Sequence, residues 1–133
     1  YKPSEGEQAI LTISSILEDT SYDCYIFDEI ERGLGNKYIT TYLIPKIKYL
    51  RSLGKIIVLS THNANIAVNT LPITTLYCNY DVEDKNIYYV GNMYSNCLEG
   101  VVDSQILTWE DKALIHLEGN ANMFNVRRNV YGI

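Results

Sequence analysis

The chain has 133 residues, enough to bury one sizeable core and too few for two comfortable domains, so residues 1–133 are expected to form a single domain. With 47% apolar and 20% charged residues it lies in the globular range, which excludes a disordered chain. A net charge of −5 without a stripe of Lys or Arg excludes a main nucleic-acid surface, so any DNA or RNA contact is expected through other domains.

Ser4-Glu5-Gly6-Glu7 has the Ser-x-x-Glu form of a capping box. Ala9, Ile10, Ile13, Ile16 and Leu17 then recur at helical spacing, predicting a helix of about three to four turns that begins at Ser4. Ser4 reads first as a cap. Its hydroxyl still has a proton to donate, and a helix N-terminus beside a Gly also suits an anion. Cys24-Tyr25-Ile26-Phe27 then ends abruptly in Asp28-Glu29, the pattern of a buried parallel strand that delivers acids to the edge of a sheet.

Glu31 to Asn36 reads as a loop, with Asn36 as the cap of a helix whose inward stripe is Ile39, Leu43, Ile47 and Leu50, closed by Gly54. Pro45 falls inside that stripe and should kink or divide the helix. Lys55 to Thr61 is a second parallel strand, continuous and β-branched, expected to be covered on both faces. His62 follows it. Strand, helix and strand make a βαβ unit whose two strands end at one sheet edge, so Asp28, Glu29 and His62 should converge.

Asn63 to Val68 is expected to form a short helix. Ile73 to Cys78 and Asn86 to Val90 read as a marginal hairpin joined through Asp81-Val82-Glu83-Asp84-Lys85. The chain from Gly91 to about Ser104 reads as loop, followed by helices over Glu110–Leu117 and Ala121–Val130. Cys24, Cys78 and Cys97, widely spaced and without a C-x-x-C pair, predict reduced, buried thiols in a cytoplasmic protein. No apolar run is long enough to span a bilayer, so no membrane partner is expected.

A carboxylate at the end of an apolar strand suits magnesium, which takes hard oxygen ligands and keeps several waters. Asp28 is the candidate metal ligand. Glu29, pointing differently, can orient or deprotonate a water attacking phosphorus, and His62 can sense a terminal phosphate. The competing readings are an exposed acidic pair at a strand end and a capping or packing histidine.

These motifs in order resemble the second half of an ABC-type ATPase head. Ser4-Glu5-Gly6-Glu7 is similar to the signature motif, Tyr25-Ile26-Phe27-Asp28-Glu29 to the Walker B strand, the glycine-containing loop to the D-loop, and Leu59-Ser60-Thr61-His62 to the switch histidine. The resemblance spans about residues 3–68 and is nearest to the soluble chromosome-maintenance, RecF-like and overcoming-lysogenization-defect branch. Thr61 to Ile66, Leu117-Glu118-Gly119 and Arg127-Arg128 also resemble ATPase modules of TrlF-like proteins.

The resemblance implies an α/β fold that is part of a P-loop NTPase sheet, with parallel core strands, flanking helices and the marginal hairpin. Residues 1–68 would run from signature to switch histidine, and 69–133 would carry the hairpin and C-terminal helices. It implies ATP and magnesium as cofactors and a second head as partner, a homodimer. Asp28 would be the magnesium carboxylate, Glu29 the base and His62 the γ-phosphate sensor. Ser4, Gly6 and Glu7 would bind nucleotide held by the partner head.

Pro3 stands where the signature carries Leu, Glu5 where it carries its first Gly, and Gly35 where the D-loop carries Asp. The phosphate-cradling G-x-x-x-x-G-K-[ST] loop is missing: around Gly54-Lys55, Tyr49 and Ile56 occupy its first-Gly and Ser/Thr positions. The chain opens at Tyr1 without an initiator Met and is expected to be the carboxyl-terminal lobe of a longer ATPase, inactive without the N-terminal lobe that carries Walker A. Two rivals remain: a degenerate head acting as a regulatory or scaffold module, and a small nuclease using Asp81, Glu83 and Asp84.

Overall fold

Ser4 starts the first helix as its spacing predicts. In the computed structural model, which describes residues 2–80, 83 and 86–117, the Ser4 hydroxyl accepts the Glu7 N–H at 3.3 Å and Glu7 Oε2 accepts the Ser4 N–H at 2.7 Å. Two backbone donors at the helix entrance are thereby satisfied. Helix α1 runs Glu5–Glu18, and the chain divides into two compact units, Tyr1–Thr70 and Leu71–Ile133.

The first unit is a βαβ arrangement. Strand β1 (Cys24–Phe27) pairs in parallel with β2 (Ile56–Leu59), with Cys24 opposite Ile56 and Phe27 opposite Leu59. Between them lie α2 (Asn36–Tyr38), a π-helical stretch (Ile39–Leu43) and α3 (Ile44–Ser52). Pro45 divides the helix as expected. It has no N–H for the carbonyl one turn earlier, and the chain widens so that the Ile44 N–H bonds the Ile39 carbonyl, five residues back. The Thr40 and Thr41 hydroxyls donate to Lys37 and Asn36 carbonyls in the same region. Asn36 is the first helical residue rather than the cap; Gly35 holds the cap position without a side-chain bond.

Leu17, Tyr25, Ile30, Ile39, Leu43, Ile47, Leu50 and Ile66 form the core of this unit, against which Phe27, Ile57 and Leu59 pack. The expectation that both strands are covered on two faces is corrected. Helices lie on the Tyr25 and Ile57 side, while Ile26 is 76%, Ile56 62% and Val58 53% exposed on the other. Ile26 is paired with Val58 and Cys24 with Ile56, so these side chains make one bare apolar face. Helix α4 (Ala64–Asn69), capped by the Asn63 side chain, ends the unit.

The second unit is a four-stranded antiparallel sheet in the order β3 (Thr75–Tyr80), β4 (Asn86–Asn92), β5 (Cys97–Gly100) and β6 (Ile106–Thr108), followed by α5 (Trp109–His116). The loop expected from Gly91 to Ser104 is therefore a correction. Gly91 does not stop the strand: a Cβ there would lie 1.8 Å from the Cys97 carbonyl oxygen, so the missing side chain lets β5 pair beside it. Tyr89, Leu98, Trp109 and Ala113 are buried, and the Trp109 indole N–H donates to Thr75 Oγ1 at 3.0 Å.

Cys24, Cys78 and Cys97 are free, but Cys24 and Cys78 are exposed rather than buried, because their strand positions face the bare sides of their sheets. The predicted helix over Ala121–Val130, Arg127, Arg128, Asp81 and Asp84 lie outside the described residues. No helix among the described residues is long and apolar enough to cross a membrane.

Leu50→Ala, which empties a fully buried position, is expected to lower stability by about 2–5 kcal/mol, and Ile26→Ala on the bare face by less than about 0.5 kcal/mol, in urea denaturation of this chain. A second expectation concerns pH. The Tyr42 hydroxyl donates to Glu18 Oε1 at 2.6 Å and Lys46 Nζ to Oε2 at 3.0 Å, and these bonds hold the Glu18 carboxyl below its ordinary value of 4.5. A lowered folded value means stability that is fully present above pH 4.5 and lost as pH falls from there through the lowered folded value. Glu18→Gln should flatten that acid limb in thermal melts recorded from pH 6 down to about 3.

Candidate functional site

The ladder between β1 and β2 continues one residue past β2, where the Ser60 N–H donates to the Phe27 carbonyl at 2.9 Å. That bond brings the two polar strand ends side by side. The Ser60 hydroxyl donates to Asp28 Oδ1 at 2.6 Å and accepts the Glu29 N–H at 2.8 Å. Glu29 adopts a left-handed φ of +47°, an uncommon state for a residue with a side chain. The chain turns sharply there, away from the strand direction.

His62 Nε2 lies 4.0 Å from Glu29 Oε1, the long limit of an ion pair, and both side chains are substantially exposed. A water or ligand atom can therefore reach both. The His62 N–H donates to Glu31 Oε1 at 2.6 Å, so the segment after β1 holds the segment after β2. The second oxygen of Glu31, Oε2, is buried and has no hydrogen-bond partner.

Asp28, Glu29 and His62 thus gather at one sheet edge, as residues from the carboxyl ends of parallel strands do. Ser60 and Glu31, which join them, were not singled out by sequence reasoning. Ser60 lies in a polar run, Ser60-Thr61-His62-Asn63, in which periodicity cannot tell which side chain turns toward the acids. Glu31 sits in a glycine-containing loop, where an acid reads as ordinary solvated charge.

Ser4, Gly6 and Glu7 lie together in the first turn of α1. The carbonyl of Gly33 approaches Gly6 so closely that an added Cβ would be 3.2 Å from it, and Gly33 itself has φ +78°. The start of α1 therefore rests on the loop that follows Asp28 and Glu29. A Cβ added at Gly35 would meet nothing within 4 Å, and φ there is an ordinary −77°, so the backbone at that position does not require glycine.

No cluster of three or more His, Cys, Asp or Glu side chains arranged for a metal is found among the described residues, and the Asp81, Glu83 and Asp84 trio has only Glu83 within them. Asp28 is exposed, with one carboxylate oxygen oriented by a hydroxyl. That suits magnesium, which is commonly held by one or two carboxylates with waters and substrate phosphates completing its shell. No protein-family model, curated protein or solved structure matches the chain.

Proposed function

We propose that this chain is the carboxyl-terminal lobe of an ABC-type ATPase that binds and hydrolyses ATP with magnesium between two heads. The observation that carries this reading is the meeting of Asp28, Glu29 and His62 across two parallel strand ends, with His62 Nε2 4.0 Å from Glu29 Oε1. Asp28 would hold magnesium, which when bound neutralises charge on the phosphates.

Glu29 would take a proton from the water that attacks the γ-phosphorus, as the bond to the ADP oxygen breaks and phosphate leaves. His62, within reach of the same water, would hydrogen-bond the γ-phosphate and register its presence. Ser4, Gly6 and Glu7 at the start of α1 would close over nucleotide bound to the partner head, where backbone N–H groups and the Ser4 hydroxyl proton suit phosphate oxygens.

The bare face of the parallel sheet supports the rest of the reading. Parallel strands are normally buried on both faces, and among the described residues neither outer edge of the two-stranded parallel sheet is paired. A further lobe bearing Walker A would complete a P-loop NTPase sheet by covering Ile26, Ile56 and Val58 and would cradle the phosphates. The setting would be a cytoplasmic machine acting on DNA or in defence, with nucleic acid held by other domains.

A second reading, a degenerate head that regulates or scaffolds, is favoured by Gly35, which offers no carboxylate at the D-loop position. The two readings separate in the intact protein. Glu29→Gln is expected to lower the ATP turnover rate by at least about 100-fold and to accumulate an ATP-bound dimer in analytical ultracentrifugation, whereas Ser4→Arg should abolish both turnover and dimer. Turnover that survives Glu29→Gln would remove Glu29 as the base. ATP binding without turnover in the native protein would favour the regulatory head.

A further inference from the structure

We infer that Ser60 is a positioning residue that couples occupancy of Asp28 by a cation to the placement of Glu29; this rests on the ATPase reading above. Ser60 makes three bonds to three consecutive residues at the end of β1. Its N–H donates to the Phe27 carbonyl at 2.9 Å, its hydroxyl proton goes to Asp28 Oδ1 at 2.6 Å, and a hydroxyl lone pair accepts the Glu29 N–H at 2.8 Å. A hydroxyl has one proton, so the bond to Asp28 fixes its direction and turns its lone pairs toward the backbone of Glu29.

The geometry makes the two bonds interdependent. A hydroxyl that donates to a carboxylate becomes a better acceptor, so the Glu29 N–H is held more firmly while Asp28 is ionised and facing Ser60. Charge drawn from Asp28 by a cation alters the donor bond and, through the same oxygen, the acceptor bond. Glu29 stands at φ +47°, a left-handed conformation that a residue with a side chain holds only with outside support, so its placement depends on that bond. His62, two residues after Ser60 on the same segment, faces Glu29, with Nε2 4.0 Å from Oε1.

The role differs from simple strand stability. Ser60 is exposed, and the backbone ladder bond to Phe27 does not use its side chain, so removing the hydroxyl leaves the ladder and opens no core cavity. What is lost is the bond that orients the Asp28 carboxylate and the bond that holds the Glu29 backbone N–H. Hydroxyls that orient a metal-binding carboxylate typically contribute about 10- to 100-fold to metal affinity or activity.

The test uses the intact protein with Ser60→Ala and Ser60→Thr, measuring ATP turnover as a function of ATP and of magnesium, with thermal melting as the control. Ser60→Ala is expected to lower kcat by about 10- to 100-fold and to raise the magnesium concentration needed for half-maximal rate by a similar factor. KM for ATP should stay within about twofold, and the melting temperature should not change. Ser60→Thr keeps the hydroxyl and should recover to within about threefold of the native rate. Native turnover with an unaltered Ser60→Ala variant, or a Ser60→Thr variant no better than Ser60→Ala, overturns the inference alone. A native protein that does not hydrolyse ATP overturns the ATPase reading and this inference with it.

Discussion

Phe27 of β1 stands opposite Leu59 of β2, and this parallel register decides which polar residues meet beyond the sheet edge. The next ladder bond, from the Ser60 N–H to the Phe27 carbonyl, puts the Ser60 hydroxyl between Asp28 and Glu29. A slip of one residue would exchange the two faces of the strand, burying Ile26 and exposing Tyr25, and would present Thr61 to the acids. The core resists that slip because Tyr25, Ile57 and Leu59 pack against Leu17, Ile47 and Leu50. Packing in the helix layer thus fixes chemistry at the sheet edge.

The same register exposes the other face. Cys24, Ile26, Ile56 and Val58 form an apolar surface that ends at Asp28, so a lobe covering it would also approach the acids. The second unit repeats the contrast in antiparallel form: Tyr89, Leu98 and Trp109 are buried, while Leu76, Val90 and Ile106 are exposed. A single exposed apolar side chain needs no explanation, but rows of them across paired strands mark surfaces that a partner can cover.

Much of the first unit was legible in the sequence because its signals are local. The Ser4 to Glu7 spacing specifies the observed capping box, the apolar run before Asp28 specifies β1, and Pro45 interrupts the following helix where its missing N–H requires. The features that escaped are long-range. The bonds from Ser60 to Asp28 and Glu29 span 32 and 31 residues, and no periodicity reports them. An apolar run announces that a strand is to be covered but not by which polypeptide, hence the mistaken two-faced cover of β1 and β2. Gly91 reads as a terminator because its use, a close approach by the Cys97 carbonyl, depends on a neighbour not yet positioned.

The central claim is that the start of α1 on one head completes the nucleotide site formed by Asp28, Glu29 and His62 on another. Mixing two inactive variants of the intact protein, Ser4→Arg and Glu29→Gln, tests this directly through ATP turnover. A mixed dimer would carry both lesions in one site and leave the other site native, so mixing should restore turnover that neither variant shows alone, up to about a quarter of native activity. Activity that stays absent although mixed dimers form would contradict a site shared between heads.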